Sequence, residues 1–186
     1  MYSIILDDMK DAGNIFADYY HKYRIVTPEK TTVTDWREVP EKVYRQYFPF
    51  LGMTIYVKKD GKGATKVGPP GYEYVGDRRY GNWQTNSSGQ SFWVFYGQYR
   101  LMSDLLGRGP IYRSHYNNYA SRRGPYFGPR KQYGTNGSYT KLRKPNFYSR
   151  GTSLVNSAKG SFSTRVNQRI GRTRSGVRGR SGGVGK

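Results

Sequence analysis

Cysteine is absent from this 186-residue chain. That excludes disulfides, thiolate metal sites and cysteine nucleophiles, and it leaves the redox compartment unassigned. Long apolar runs are missing too, and none approaches the roughly 18 residues of a membrane-spanning helix. The opening MYSIILDDMKDAG has no basic flank, and acids interrupt it where the apolar stretch of a signal peptide would continue. Export by such a signal is therefore not expected. Histidine is scarce, with only His21 and His115, and the chain has no HExxH and no G-x-S-x-G. Acids run out early. Past residue 60 there are only Glu73, Asp77 and Asp104, at no spacing that suits paired general acid–base work. Together these absences predict a protein that is not an enzyme and needs no cofactor or metal.

Positive charge is abundant. Lys and Arg number 32 against 12 Asp and Glu, a formal net charge of +20. Solubility alone needs a charge of only about 2–8 on a small domain. The excess predicts a polyanionic partner: nucleic acid first, with anionic lipid or an acidic protein surface as alternatives. Its placement is uneven. Residues 1–60 hold 9 basic and 9 acidic groups, whereas residues 105–186 hold 18 basic groups and no acid. Such a block reads as an interaction arm. A solvated tail that only aids solubility is the competing reading.

Apolar content is low, at 35%, and much of it is aromatic, with 19 Tyr, 8 Phe and 3 Trp. A modest, tyrosine-rich core follows. Residues 3–23 place Ile5, Met9, Ala12, Phe16, Tyr19 and Tyr23 at alternating spacings of four and three, the pattern of one helical face. Asp7, Asp8 and Asp11 then fall near its start, where the helix dipole favours acid. A metal site is the less common use of such a cluster.

A strand is expected near 31–35 and a short helix from Pro40–Glu41 to Phe48. Met53–Val57 reads as a strand and Asp60-Gly61 as a hairpin turn, with the return strand over Lys62–Val67. GKGATKVGPP superficially suggests a phosphate loop. However, Pro69-Pro70 stand where Lys and Ser/Thr should be, and proline offers no N–H. Gly71–Val75 alternates as an edge strand, and the Gly/Asn/Ser-rich segment up to Gly89 reads as loop. Ser91 to Leu106 has the spacing of a helix with Gly107 as its stop, its aromatic stripe serving as core anchor rather than ligand platform. Pro110 opens a last helix that carries Tyr112, Tyr116 and Tyr119.

The predicted architecture is a small single α+β domain over residues 1–120, built from short helices and a small antiparallel sheet. A mostly disordered basic tail over 121–186 would follow, too poor in aliphatics to offset its ordering entropy. Within 161–170, Phe162, Val166 and Ile170 are four apart and could form a helical turn or two on binding. Candidate polyanion contacts are Arg113, Arg122, Arg123, Arg130, Lys131, Arg165, Arg169, Arg172, Arg174, Arg178 and Arg180. Candidate stacking rings are Tyr112, Tyr116, Tyr119 and Tyr126. Arg supplies phosphate contacts and Tyr supplies rings for bases, and Gly keeps the terminal arginines mobile.

The run PPGYEYVGDRRYGNW, then SGQSFWVFYGQY, PIYRSHYNNY and the ending RSGVRGRSGGVGK, resembles a group of uncharacterised bacterial proteins associated with envelope-stress gene neighbourhoods. The likeness spans about residues 40–186. It implies no activity and no catalytic residue, and it implies a role at the envelope or membrane surface. The chain departs from an exported pattern in lacking a signal segment. The expected function is a non-enzymatic nucleic-acid-binding accessory protein, in the cytoplasm or a virion. A peripheral envelope protein on anionic lipid or acidic polymer, and a structural subunit whose arm orders on neighbouring chains, are the alternatives.

Overall fold

Tyr2–Ala12 forms a long central strand, β1, and the rest of the first sheet is laid on both sides of it. On one side β1 pairs antiparallel with β2 (Asp18–Val26), and on the other with β5 (Thr54–Lys59). The short strands β3 (Thr31–Val33) and β4 (Arg37–Val39) both pair with β2, and β6 (Lys62–Ala64) closes the opposite edge. The computed structural model describes residues 1–12, 18–99 and 109–150.

The helix expected over 3–23 is thus corrected to two strands. A spacing of four fits both periods: Tyr19 and Tyr23 share a face of β2 as they would share a helix face. Pairing on both sides of β1 decides the matter, and it is invisible to a local pattern.

Between Leu6 and Asp8 the register slips by one residue, which makes Asp7 a β-bulge. Ile5, Leu6 and Asp7 are all buried, which simple alternation in a half-exposed strand would not allow. Both faces of the sheet are covered. On one face Ile5 and Val26 join the main aromatic cluster. On the other, Tyr19 and His21 meet Tyr44 at 4.9 and 5.6 Å between ring centroids. Tyr44 belongs to α1 (Glu41–Tyr47), which begins after Pro40 and carries Glu41 in its first turn, as the sequence predicts. Asp60 and Gly61 adopt φ of 49° and 78° and turn β5 into β6, again as predicted.

The main cluster is built from tyrosines. Tyr72, Tyr74, Tyr80, Tyr119 and Tyr126 are buried with Trp93, Phe95 and Ile111. Tyr74 is fully buried, and its hydroxyl donates to the Val26 carbonyl at 3.0 Å. Tyr72–Tyr74 is a 3-10 turn, not the expected edge strand. A second, three-stranded antiparallel sheet contains β7 (Gly81–Thr85), β8 (Ser91–Phe95) and β9 (Ile111–Tyr112). This overturns two expectations, the loop up to Gly89 and the helix over 91–106. Ser91–Phe95 alternates: Trp93 and Phe95 are buried, while Phe92 and Val94 are only partly so. β-Branched and aromatic side chains suit that pleated, half-buried surface. Residues 100–106 of the expected helix lie outside the described residues.

Contacts of the folded unit continue past residue 120. Residues 1–147 form one compact unit, and a second begins at Tyr148. Tyr126, Tyr133, Thr135, Thr140 and Phe147 are all buried. The Tyr126 N–H donates to Val67 at 3.1 Å and the Thr135 N–H to Pro49 at 3.0 Å. The Thr135 hydroxyl also bonds the Phe48 carbonyl. Polar backbone bonds and tyrosine rings do here what aliphatics would do elsewhere. Two further helices complete the unit, α2 (Arg113–Ser121) and α3 (Ser138–Arg143). The fold is α+β, with short helices and antiparallel sheets. No helix among the described residues is long and apolar enough to cross a membrane.

Two buried ionisable groups set the acid limit of this fold. His21 is completely buried, and burial lowers its pKa from 6.5 to about 4. The neutral imidazole is the folded form, so stability is full above pH 6.5 and falls as pH drops toward 4, by up to about 3 kcal/mol. Denaturant unfolding at pH 7, 6, 5 and 4 should show this slope, and His21→Phe should flatten it. Asp7 behaves differently. Burial acts to raise its pKa, but hydrogen bonds and charge from Lys144 and Arg24 outweigh burial and hold it below 3.8. Its contribution is present above pH 3.8 and is lost as pH falls through the lowered value. Asp7→Asn should cost about 3 kcal/mol at pH 7, since it strands two partly buried cations. Unfolding curves that match the wild type would refute that role.

Candidate polyanion interface

β9 places α2. Phe92 pairs with Tyr112 and Trp93 with Ile111, and the chain enters α2 at once from an extended Tyr112. The predicted Tyr116–Tyr119 face of α2 forms, with the two ring centroids 6.2 Å apart. Across from it, Trp83 and Trp93 make an edge-to-face pair at 5.2 Å on β7 and β8. Trp83 also meets Tyr116 at 5.8 Å, and the Arg113 guanidinium lies over Trp83 at 5.1 Å. Tyr112 and His115 are edge-to-face at 5.5 Å. Burial first, and then the positive charge of Arg130, hold the His115 pKa below 6.5. The result is a half-exposed surface of aromatic rings with an arginine stacked on it.

Of the predicted cations, Arg113, Arg122, Arg123, Arg130 and Lys131 are all exposed. None of the five has an ion-pair partner among the described residues. Arg122 lies 6.0 Å over the Tyr126 ring. Arg165, Arg169, Arg172, Arg174, Arg178 and Arg180 lie outside the described residues, as does the possible binding-induced helix at 161–170.

Among the stacking candidates, Tyr112 and Tyr116 are partly exposed. Tyr119 and Tyr126 are corrected to core residues, with only 5% and 6% of their surface exposed. They pack on Tyr72 at 5.5 and 5.9 Å, so no base reaches them without unfolding. Burial raises the pKa of both phenols.

Sequence reasoning missed Trp83 as a member of this surface, because it lay in a segment read as loop, whereas His115, in its Arg/Tyr stretch, reads as a surface or stacking residue rather than a base. The only available signal was the shared aromatic character of SFW and NW, which carries no distance.

Four cations of the first half, by contrast, are ion-paired: Arg24, Arg45, Lys59 and Arg79, with Asp7, Glu41, Asp77 and Asp77. Lys144 reaches back to Asp7 at 3.0 Å. A cavity of about 280 Å³ beside Asp7 is lined by Arg24, Arg143, Lys144, Tyr133 and Tyr139. Its carboxylate occupies the centre of the charge, which makes it a structural ion cluster. Asp7 therefore belongs to an ion cluster rather than to a metal site, and no group of three or more acids or histidines among the described residues could hold a metal.

No family model, curated protein or solved structure matches this chain.

The division between surface and core is testable by substitution. Tyr119→Ala should cost about 3–5 kcal/mol of unfolding free energy, as buried aromatic truncations do. Arg113→Ala should change stability by less than about 1 kcal/mol, because it loses only an exposed cation–π contact. Equal losses for the two variants would show that this surface is not the exposed one.

Proposed function

We propose that this chain is a non-enzymatic accessory protein that binds nucleic acid through its acid-free basic half. One observation carries the reading. Five exposed cations between Arg113 and Lys131 have no ion-pair partner among the described residues, and the chain has no acid beyond Asp104 to supply one nearby. Exposed arginines without partners attract phosphate, and their release of counterions on binding makes affinity fall with salt. The adjoining Trp83, Tyr112 and Tyr116 rings favour nucleic acid over anionic lipid or acidic protein, since only nucleic acid brings a planar base to stack. The segment Ala158–Lys186 adds eight positive charges to the same polyanion.

Fluorescence anisotropy with a labelled oligonucleotide across a salt series tests the proposal. Log affinity should fall steeply with log salt. Replacing Arg113, Arg122, Arg123, Arg130 and Lys131 by Ala should make the single-strand slope shallower by roughly 3. Deleting 158–186 should remove up to roughly 7 from a duplex slope. Affinity that stays unchanged between low and high salt sinks the proposal. Flotation with anionic vesicles, in the absence of any oligonucleotide binding, would move the partner to a membrane surface.

A further inference from the structure

A second place on the folded unit combines rings with unpaired cations, and none of its aromatic residues was a candidate from sequence. α1 ends at Tyr47, and Phe48–Phe50 follows as a 3-10 turn with Pro49 inside it. The turn sets Tyr47 and Phe50 edge to face, 6.3 Å apart and 74° between planes. Each ring is backed from behind, Tyr47 by His21 at 6.4 Å and Phe50 by Phe127 at 6.0 Å. Both remain partly exposed and line a cleft of about 240 Å³.

Lys66, Arg123, Gln46 and Pro125 line the same cleft, and no acid does. The Lys66 ammonium is already held in place. It donates to the Ala120 carbonyl at 3.0 Å and lies 4.5 Å over the Tyr119 ring. An ammonium has three donors, one of which the Ala120 carbonyl takes, and Lys66 also lines a neighbouring cavity with Tyr119, Asp60 and Glu73. Neither Lys66 nor Arg123 has an ion-pair partner among the described residues. Two cations, two rings and one amide line a single cleft. That pattern fits a group that is flat at one end and doubly acceptor-rich at the other.

We infer that this cleft seats one unpaired nucleotide of a single strand, its base against Tyr47 and Phe50 and its phosphate between Lys66 and Arg123. This rests on the nucleic-acid reading above and narrows it. A duplex keeps its bases stacked and paired and offers only phosphates, so it cannot fill the aromatic side. Gln46 has both a donor and an acceptor for a base edge. The protein therefore discriminates single strands from duplex at a site in its folded unit, whereas the basic half attracts both.

Anisotropy competition with the full chain at fixed salt tests this, using an oligothymidine, an oligouridine and a duplex of equal phosphate count. The single strands should outcompete the duplex by tenfold or more. Tyr47→Ala, checked for folding by circular dichroism, should lose about tenfold for the single strands and nothing for the duplex. Ultraviolet crosslinking of a 5-bromouracil-labelled strand to the unaltered chain should map to residues 46–50, and this arm stands even where Tyr47→Ala does not fold. Lys66→Gln should weaken the single strand with the crosslink retained. Equal affinity for single strand and duplex, with crosslinks confined to other residues, overturns the cleft and leaves the nucleic-acid reading intact. A chain that binds neither form overturns both.

Discussion

One carboxylate joins three distant parts of this chain. The Asp7 Oδ1 accepts from Arg24 Nε at 2.9 Å and Arg24 Nη2 at 2.7 Å, and it meets Lys144 Nζ at 3.0 Å. A β-bulge places it there, because the slipped residue leaves the alternation of β1 and aims its side chain at Arg24 beside it. Residues 105–147 contain no acid of their own. Any ion pair that ties this cationic segment to the sheets must use an acid from earlier in the chain, and Asp7 is placed to do so. Its burial would be costly alone, and two cations and three close contacts offset that cost.

The second constraint is the shortage of aliphatics. Tyrosine fills the space instead, and each buried ring brings a hydroxyl that wants a partner. Tyr74 resolves this by donating to Val26 across to β2. The larger rings also let a few residues cover both sides of the first sheet, with Tyr44 on one face and Tyr72, Tyr74 and Tyr80 in the cluster on the other. This explains how a chain with 35% hydrophobic residues keeps residues 1–147 in one unit. It also explains why aromatic content alone points to no site: much of it is structural.

Local features were legible. Pro40–Glu41 marked the start of α1, and Asp60-Gly61 marked the β5–β6 turn, because both signals act within a few residues. The α2 helix was legible from Tyr116 and Tyr119, but Tyr112, expected in it, pairs with Phe92 in β9, and the helix begins only at Arg113. The first 23 residues were misread, since Tyr19 and Tyr23 suit a helix and a strand equally. Ser91–Phe95 was misread because Phe92, Phe95 and Tyr99 imitate a helical stripe. In both cases the partner strand decides, and it lies far along the sequence: β5 for β1, and β9 for β8. Trp83 was invisible as a site residue for the same reason. Its neighbours Arg113 and Tyr116 are some thirty residues away.

By itself the sequence determined the absence of thiol chemistry, the short local elements and the split between a charge-balanced beginning and an acid-free end. Net charge and its position are sums over residues and need no fold. Only the tertiary structure decided which rings are core and which are surface, which cations are neutralised, and that Lys66, Arg123, Tyr47 and Phe50 line one cleft. Burial and ion pairing depend on contacts between residues far apart in sequence, and those contacts follow from strand register and a single bulge, which no local pattern encodes.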